Sequence, residues 1–264
     1  LAAAKPASLA PAAVARAPLW RRPWMGGAVA ALLLVMLGFV FMAQRPSLYA
    51  VETRPGVHRQ IALAGGTTID LNGGSRILLD RKDPRRATLE RGEAMFAVVH
   101  DADHPFEVKV GNALLRDVGT AFNVTRDRGV TTVAVSEGEV VYNPGAEGVS
   151  LPAGRMLRAA DADANVSVAD IAADRVASWR AGRLIYDGAA LSDVADDLSR
   201  NLGQTVSVSP AIAAMPVRAV IVLDPDHDAV VKRLAALLGV SATDIADIFP
   251  ALSRFDTPNL GFLG

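Results

Sequence analysis

The chain has 264 residues, of which 51% are hydrophobic, a formal net charge of −1 at pH 7 and no cysteine. The lack of cysteine excludes disulfides, thiolate zinc sites, iron–sulfur clusters and a cysteine nucleophile, and it is compatible with an oxidising compartment such as a bacterial periplasm. Because the near-neutral charge offers no broad basic surface, we do not expect the chain to bind nucleic acid directly.

The first 22 residues form a basic tail. The run "AAAKPASLAPAAVARAP" is rich in Ala and Pro and cannot bury a core, so residues 1–22 are predicted to be a tail or linker. This stretch has four basic residues and no acid, which leaves a charge of −5 for the rest of the chain. Basic flanks of membrane helices tend to stay in the cytoplasm, so the tail is predicted to be cytoplasmic.

An uncharged apolar segment follows over residues 23–44. As a helix it would reach roughly 33 Å, enough to cross the hydrocarbon core of a bilayer. Trp20, Trp24, Arg21 and Arg22 stand at its start, as residues that prefer the headgroup level do. The segment predicts one transmembrane helix, with the N-terminus on the cytoplasmic side and the remaining body on the other side of the membrane.

Two other interpretations of this segment were weighed. A cleavable signal peptide requires small residues at −3 and −1, but cutting after Ala43 puts Phe41 at −3, and cutting after Ala50 puts Leu48 there. A buried helix of a soluble domain is the other option, although globular domains seldom bury so long a run on every side. A permanent anchor is therefore the favoured interpretation.

Residues 45–160 change to short β-branched runs separated by turn signals. Examples are "TTIDL", "SRILL", "MFAVV", "FEVKVG", "AFNVT", "VTTVAVSEG" and "EVVYNPG". Such runs, with a turn every eight to twelve residues, predict an all-β unit, and a sandwich, a barrel or a stack of β-arches all remain open. The imperfect alternation from Val130 to Val135 indicates a strand covered on both faces.

The last third of the sequence mixes strands and helices. An acidic, Ala-rich connector is predicted over 161–181, with a helical turn near Trp179, and a small α+β module over 182–240. In the module, strand "GRLIYDG" precedes a helix that ends before Gly203, strands "QTVSVS" and "VRAVIVL" follow, and a second helix starts near Asp226 or Asp228. Residues 241–264 show no strand period and are expected to be an atypical end.

The order of several motifs resembles that of the FecR-like family, single-pass inner-membrane regulators of extracytoplasmic-function sigma factors. The motifs are "LAGGTTIDLNGGSRI", "LERGEAMFAVVHDADHPFEV", "DVGTAFNV", "VAVSEGEVVY", "LPAGR" and "VASWRAGRLIYDGAALSDVADDLSR". The resemblance covers residues 53–203 strongly and 204–239 weakly. It implies an all-β periplasmic subdomain followed by a module similar to the signalling domain of TonB-dependent outer-membrane transporters.

The resemblance also implies a function. The body would bind the signalling domain of a transporter, with iron-chelate uptake as the expected process, and relay the signal to a sigma factor. Family members contact that sigma factor through a helical cytoplasmic domain before the membrane helix, whereas this sequence shows only an Ala/Pro tail there. Family members also usually end with further strand pairing, which residues 241–264 do not match. A membrane-anchored structural or glycan-binding β protein of the envelope is the alternative.

Gly119 and Thr120, in "DVGTAFNV", are the candidate site. In some FecR-like proteins this pair is a self-cleavage point, where the Thr hydroxyl attacks the preceding carbonyl and water opens the resulting ester. A glycine permits strained backbone before the bond, and a hydroxyl becomes a nucleophile when a base and an oxyanion site are near. The alternative is that Gly119 makes a tight turn and Thr120 starts a strand.

Other polar groups predict no chemistry. His100 and His104 are four residues apart, the spacing of a zinc pair on one face of a helix. The stretch that contains them consists of a strand, an Asp-rich turn and a proline, so such a pair is not expected. Asp224, Asp226 and Asp228 imitate a calcium loop without its glycine and glutamate, so one of them is expected to cap a helix. We expect no metal, no cofactor and no enzyme activity on an external substrate.

Overall fold

A computed structural model describes residues 23–43, 45–145, 148–163, 166–240 and 245–247. The chain divides into two compact units, Leu1–Pro46 and Ser47–Gly264. The predicted tail (1–22), Gln44 and all but three residues of the predicted C-terminal segment (241–264) lie outside the described residues.

The first unit contains helix α1, Pro23–Ala43, which carries no acidic residue in its first turn and no basic residue in its last. The described side chains of this helix are exposed, for example Leu32 at 69% and Phe39 at 74%. The structure does not describe the side chains at several other positions of α1. Within what is described, no helix combines the length and the apolar character needed to cross a membrane.

The second unit begins with a β-domain. Its strands are β1 Leu48–Glu52, β2 Arg59–Ala62, β3 Thr68–Leu71, β4 Arg76–Asp80, β5 Arg86–Ala97, β6 Phe106–Val110, β7 Ala113–Asp117, β8 Ala121–Asp127, β9 Val130–Glu137, β10 Glu139–Tyr142, β11 Val149–Pro152, β12 Arg155–Ala160 and β13 Val166–Asp170.

Strand β5 joins two sheets because its two halves pair with different neighbours. Its first half lies in the order β1-β4-β5-β6-β7-β10-β11, and its second half in the order β2-β3-β5-β8-β9-β12-β13. Gly92 sits between the halves with φ +88°, and a Cβ there would lie 2.2 Å from Ser75 Oγ. Only a glycine lets β5 turn from one sheet into the other at this contact.

The two sheets pack face to face around an apolar core, which makes the domain a β-sandwich. Phe96 lies 6.0 Å from Phe106 of the other sheet and 5.0 Å from Phe122 between ring centroids, and all three are fully buried. Burial of each such side chain contributes about 1.5–3 kcal/mol. The prediction of a largely β body is confirmed. In β9, Val133 belongs to this core and Ala134 is buried too, so both faces of the strand are covered as predicted.

The connector differs from its prediction in one respect. Residues Val166–Asp170 form β13, which pairs antiparallel with β12 and so extends the sandwich. The strand is exposed at four of its five positions, so it is held by main-chain pairing with β12 rather than by burial of one face. Two 3₁₀ turns follow, Ala173–Arg175 and Ser178–Ala181, and the second buries Trp179.

A small α+β module completes the unit. Its elements are β14 Arg183–Ala190, α2 Leu191–Leu202, β15 Val206–Val208, β16 Pro216–Val222, α3 His227–Leu238 and β17 Ile245–Asp247. Strand β14 pairs with β16, and β15 with β17. Both helices end at a left-handed glycine, Gly203 and Gly239, and Asp226 caps α3 by accepting the Ala229 N–H. These features follow the predicted spacing, whereas β17 was not predicted.

Candidate functional site

The Gly119–Thr120 bond lies in the short connection between β7 and β8, at the rim of the sandwich. Gly119 has φ +151°, and a Cβ there would lie 2.5 Å from the Cα of His100. Gly138 packs against the other side, where a Cβ would lie 2.5 Å from Thr120 Cγ2 and 3.0 Å from the Gly119 carbonyl oxygen. The bond is therefore held between two segments at a position that admits only glycine before it.

Thr120 is buried, with 4% of its surface exposed. Its carbonyl accepts the N–H of Val98 at 2.9 Å, so its main chain is part of the strand pairing. Its hydroxyl is buried and has no hydrogen-bond partner. A buried hydroxyl without a partner is unfavourable by about 1–3 kcal/mol, which makes it a group that needs an explanation.

Asp117 is the charged neighbour of this bond, and the sequence analysis did not select it. It is 2% exposed, and its Oδ1 accepts the Gly119 N–H at 2.9 Å. Its Oδ2 is buried without a hydrogen-bond partner. Burial raises the pKa of Asp117, and this rise is only partly offset by the Thr120 hydroxyl, by the N–H groups of Gly119 and Thr120 and by Arg85. The visible signal was the D-x-G-T spacing, in which an Asp side chain accepts the backbone N–H two residues further along the chain.

The other polar groups singled out from the sequence lie in a turn of the sandwich and at the start of α3. The backbone N–H of His104 donates to Asp101 Oδ1 at 3.0 Å, while its imidazole is 78% exposed. Asp224 pairs with Arg233 at 3.0 Å beside the start of α3. Among the described residues, no group of three or more His, Cys, Asp or Glu side chains is arranged to hold a metal ion.

A second cluster joins the β-domain to the module around Arg200 of α2. This side chain is 11% exposed, its Nη1 lies 3.1 Å from Asp127 Oδ2, and its Nη2 donates to Asp197. Its Nε is 3.9 Å from Glu93 Oε2. Burial lowers the pKa of Arg200, but the three carboxylates outweigh burial and raise it above the ordinary value. Asp127 and Glu93 come from the sandwich, so this guanidinium links the two parts of the unit.

Two buried side-chain amides hold the carboxylate of Glu93 in place. Asn72 Nδ2 donates to its Oε2 at 2.7 Å, and Asn123 Nδ2 donates to its Oε1 at 2.8 Å. The Glu93 backbone N–H donates to Ser75 Oγ at 2.9 Å. The signal in the sequence was a single acid inside the apolar run "GEAMFAV", which indicates a buried charge with a partner. The partner could not be identified without the fold.

Asp197 completes the cluster on the module side. Tyr186 donates its hydroxyl to Asp197 Oδ2 at 2.9 Å. Burial raises the pKa of Asp197 to about 6, while Arg200 acts in the opposite direction. Burial likewise raises the pKa of Tyr186 well above its ordinary value, and the charge of Asp197 adds to this effect. The tyrosine therefore stays a hydrogen-bond donor throughout the physiological range.

Three glycines bring main chain against main chain next to Arg200. The Gly56 N–H donates to the Arg200 carbonyl at 2.8 Å. A Cβ on Gly73 would lie 2.1 Å from that same carbonyl oxygen, and a Cβ on Gly56 would lie 3.0 Å from the Cα of Gly203. We call Gly56, Gly73 and Gly203 the glycine clasp. It holds the C-terminal end of α2 directly on two loops of the sandwich.

Apolar and ionic contacts extend this interface on both sides of the clasp. Met95 of β5 is buried with the module's core rather than with the core of the sandwich. Arg180 lies 2.7 Å from Asp70, and Arg158 lies 3.2 Å from Asp193. A groove of about 760 Å³ runs between β8, β9 and β12 on one side and β14 and α2 on the other. The β-domain and the module therefore share one continuous packed boundary.

Comparisons with known proteins agree with this description. The model of the family described as FecR protein matches residues 49–141, which are most of the sandwich. Two crystal structures of a candidate anti-sigma factor from Parabacteroides distasonis ATCC 8503 share the fold. The first is 24% identical with a TM-score of 0.65 and covers 73% of this chain and 92% of its own. The second is 23% identical, also with a TM-score of 0.65, and covers 72% and 92%.

A search of curated proteins gives no match. The family match falls on the region that carries most of the motifs quoted above, including the candidate bond at Gly119 and Thr120. The resemblance inferred from the sequence is therefore confirmed for residues 49–141, and we call the β-sandwich that contains them the FecR-like domain.

Proposed function

We propose that the chain belongs to a transmembrane regulator of an extracytoplasmic-function sigma factor. The FecR-like domain supports this proposal, as does the fold shared with a candidate anti-sigma factor. Contact with the sigma factor would be made on the N-terminal side of α1 by a helical cytoplasmic domain of the kind found in FecR-like proteins. The body would act on that contact from a distance.

The proposed topology is a single pass through the inner membrane, with the N-terminus in the cytoplasm and the body in the periplasm. The uncharged sequence of α1 and the basic residues before it support this orientation. The exposed apolar side chains of α1, such as Leu33 at 58% and Val35 at 73%, would be covered by lipid. Protease added to spheroplasts should then digest the body without cell lysis.

The proposed input is the signalling domain of a TonB-dependent outer-membrane transporter, with an iron chelate as the transported ligand. Strand β16 supports the module as the receiving part, since among the described residues it pairs with β14 alone. Val220 and Val222 of β16 are 63% and 61% exposed and point to the same face. A strand added at this edge would gain main-chain hydrogen bonds and cover both valines.

The observation that carries the proposal is the packed interface between the module and the FecR-like domain. Arg200 and the glycine clasp hold α2 on the sandwich through buried charges and through main-chain contact. A partner that shifts the module must therefore also strain the sandwich, because packed interfaces do not deform freely. The change would reach the membrane helix as a rearrangement or as exposure of the chain to a membrane protease.

The test is a binding titration of residues 47–264 with signalling domains of transporters from the same cell. We expect micromolar affinity for one of them and a loss of at least tenfold for Val220→Glu. The matched control is Val168→Glu, an exposed valine on β13 of the sandwich rather than on β16, which should leave the affinity unchanged. Absence of binding by every signalling domain at 100 µM, an order of magnitude above the expected range, would contradict the proposed input.

A second function, self-cleavage between Gly119 and Thr120, is favoured by the buried hydroxyl and carboxylate at that bond. We expect the mass spectrum of the purified chain to show two fragments, ending at Gly119 and starting at Thr120. Thr120→Ala should give one intact chain, whereas Thr120→Ser should still cleave. An intact wild-type chain after long incubation would show that the pair serves only as a turn and a strand start.

A further inference from the structure

We propose that Asp117 is the proton acceptor for the Thr120 hydroxyl and returns that proton to the Thr120 nitrogen during self-cleavage. This inference rests on the self-cleavage proposed above. It assigns a catalytic role to a residue that neither the sequence analysis nor the family match singles out.

The arrangement of the two residues supports the role. Both are almost fully buried, at 2% for Asp117 and 4% for Thr120. Asp117 Oδ2 and Thr120 Oγ1 are each buried without a hydrogen-bond partner, while Oδ1 is held by the Gly119 N–H. The carboxylate is thus anchored by one oxygen, and its second oxygen is left for another task. Because Oδ1 accepts the Gly119 N–H at 2.9 Å, the carboxylate lies beside the scissile peptide, and the Thr120 hydroxyl and N–H both act to lower its pKa.

The scissile peptide is confined in a way that favours attack. The Gly119 Cα lies against His100 on one side, and Gly138 lies against Thr120 and the Gly119 carbonyl on the other. Main-chain bonds fix both flanks: Val98 donates to the Thr120 carbonyl at 2.9 Å and Asp101 donates to the Val118 carbonyl at 2.7 Å. Holding a nucleophile at a fixed carbonyl removes much of the entropic barrier to reaction.

The chemistry balances without any external oxidant or metal. Asp117 takes the proton from Thr120 Oγ1 as that oxygen bonds to the Gly119 carbonyl carbon. The carbon–nitrogen bond then breaks, its electron pair stays on the Thr120 nitrogen, and Asp117 returns the proton to that nitrogen. The product is an ester between the Gly119 carbonyl and Oγ1, which one water molecule hydrolyses to a Gly119 carboxylate and a free Thr120 hydroxyl.

Other charged groups near the bond are placed less well for this task. Arg85 is a cation that lowers the Asp117 pKa, so it can modulate the base but cannot accept the proton. Asp101 accepts backbone N–H groups of its own turn. His100 touches Gly119, but it is an exposed residue, and the Thr120 hydroxyl makes no hydrogen bond with it. Asp117 is thus the buried group that faces the hydroxyl.

The experiment follows cleavage of the full 264-residue chain from a defined start. The chain is made by cell-free synthesis, held in guanidinium, and diluted into detergent buffers of different pH, and intact and cleaved masses are counted over time. We expect Asp117→Asn to slow cleavage by about 10²-fold or more, the usual contribution of a general base. The control is Asp103→Asn, at an exposed carboxylate of the neighbouring turn, and it should stay close to the wild-type rate. For the wild type, the rate should rise with pH and level off above the raised pKa of Asp117.

The outcomes separate the two levels of the proposal. If the wild type stays intact, self-cleavage itself is refuted and the role of Asp117 falls with it. If the wild type cleaves and Asp117→Asn cleaves equally fast, only the role of Asp117 is overturned. A merely structural Asp117 would leave the shape of the pH profile unchanged in the variant, whereas a base requires that the rise be lost. The wild-type profile keeps the proposal testable even if the variant folds poorly.

Discussion

Replacing Arg200 by glutamine removes the cation from a site where three carboxylates meet. Arg200 and Glu93 are each 11% exposed, so the pair between them is buried. Breaking a buried pair by removing one partner is unfavourable by about 3–5 kcal/mol, because the other charge is left uncompensated. The bond to Asp127, which is 38% exposed, should add less than about 1 kcal/mol. For a unit of this size the loss corresponds to a fall in Tm of roughly 6–20 °C.

The loss of stability should depend on pH. Without Arg200, the folded-state pKa of Asp197 must rise further, since the charge that lowers it is gone. The folded variant then binds a proton that the unfolded chain has lost. The loss of stability is therefore full above the raised pKa of Asp197 and shrinks as pH falls through it. We expect a larger difference from wild type at pH 8 than at pH 5.

The assay is thermal and urea unfolding of residues 47–264, followed by circular dichroism at both pH values. The matched control is Arg218→Gln, because Arg218 is 82% exposed and pairs with Asp187 at 3.0 Å on the surface. That variant should change the free energy of unfolding by less than about 1 kcal/mol. Two results would contradict the role of the Arg200 cluster in holding the module on the sandwich. One is that Arg200→Gln has the same free energy of unfolding as Arg218→Gln, and the other is that its loss of stability is equal at pH 5 and pH 8.

Two further predictions concern the same boundary. Tyr186→Phe removes a hydrogen bond to a charged group and should lower the free energy of unfolding by about 1.5–3 kcal/mol. Because that bond lowers the Asp197 pKa, a carbon-13 titration of Asp197 should show a higher pKa in the variant. An unchanged pKa would contradict the contact. Gly73→Ala places a Cβ within 2.1 Å of a backbone oxygen of α2 and should reduce Tm in the same assay. The control Gly145→Ala, whose Cβ has no neighbour closer than 4.0 Å, should leave Tm unchanged. Equal Tm values for the two variants would show that the glycine clasp does not hold α2 on the sandwich.

The features that the sequence predicted are those set by local rules. The spacing of Leu191, Val194 and Leu198 identifies α2, and all three are buried in the module. A helix start at Asp226 or Asp228 was predicted because aspartates favour the N-cap position, and the structure shows Asp226 as the cap. Most strands of the sandwich likewise follow from β-branched runs between turns. The resemblance to the FecR-like family was likewise recognised from the order of such local motifs.

The features that could not be predicted depend on distant parts of the chain. Arg200 meets Glu93 and Asp127 across more than seventy residues, and no spacing rule relates them. Strands β13 and β17 are short and are specified by their partners β12 and β15. Asp117 lies two residues from the candidate bond, but its importance depends on burial, which the sequence pattern around "LLRDVGT" does not show.

We propose that this protein controls a sigma factor in response to a contact made by its body. The most direct measurement is genome-wide transcription, with and without the iron chelate proposed as the input signal, in wild-type cells, in cells lacking the gene and in cells carrying Arg200→Gln. We expect one set of promoters, read by a single extracytoplasmic-function sigma factor, to respond to the ligand in wild-type cells and to lose that response in both mutants. An identical response in all three strains would contradict the account.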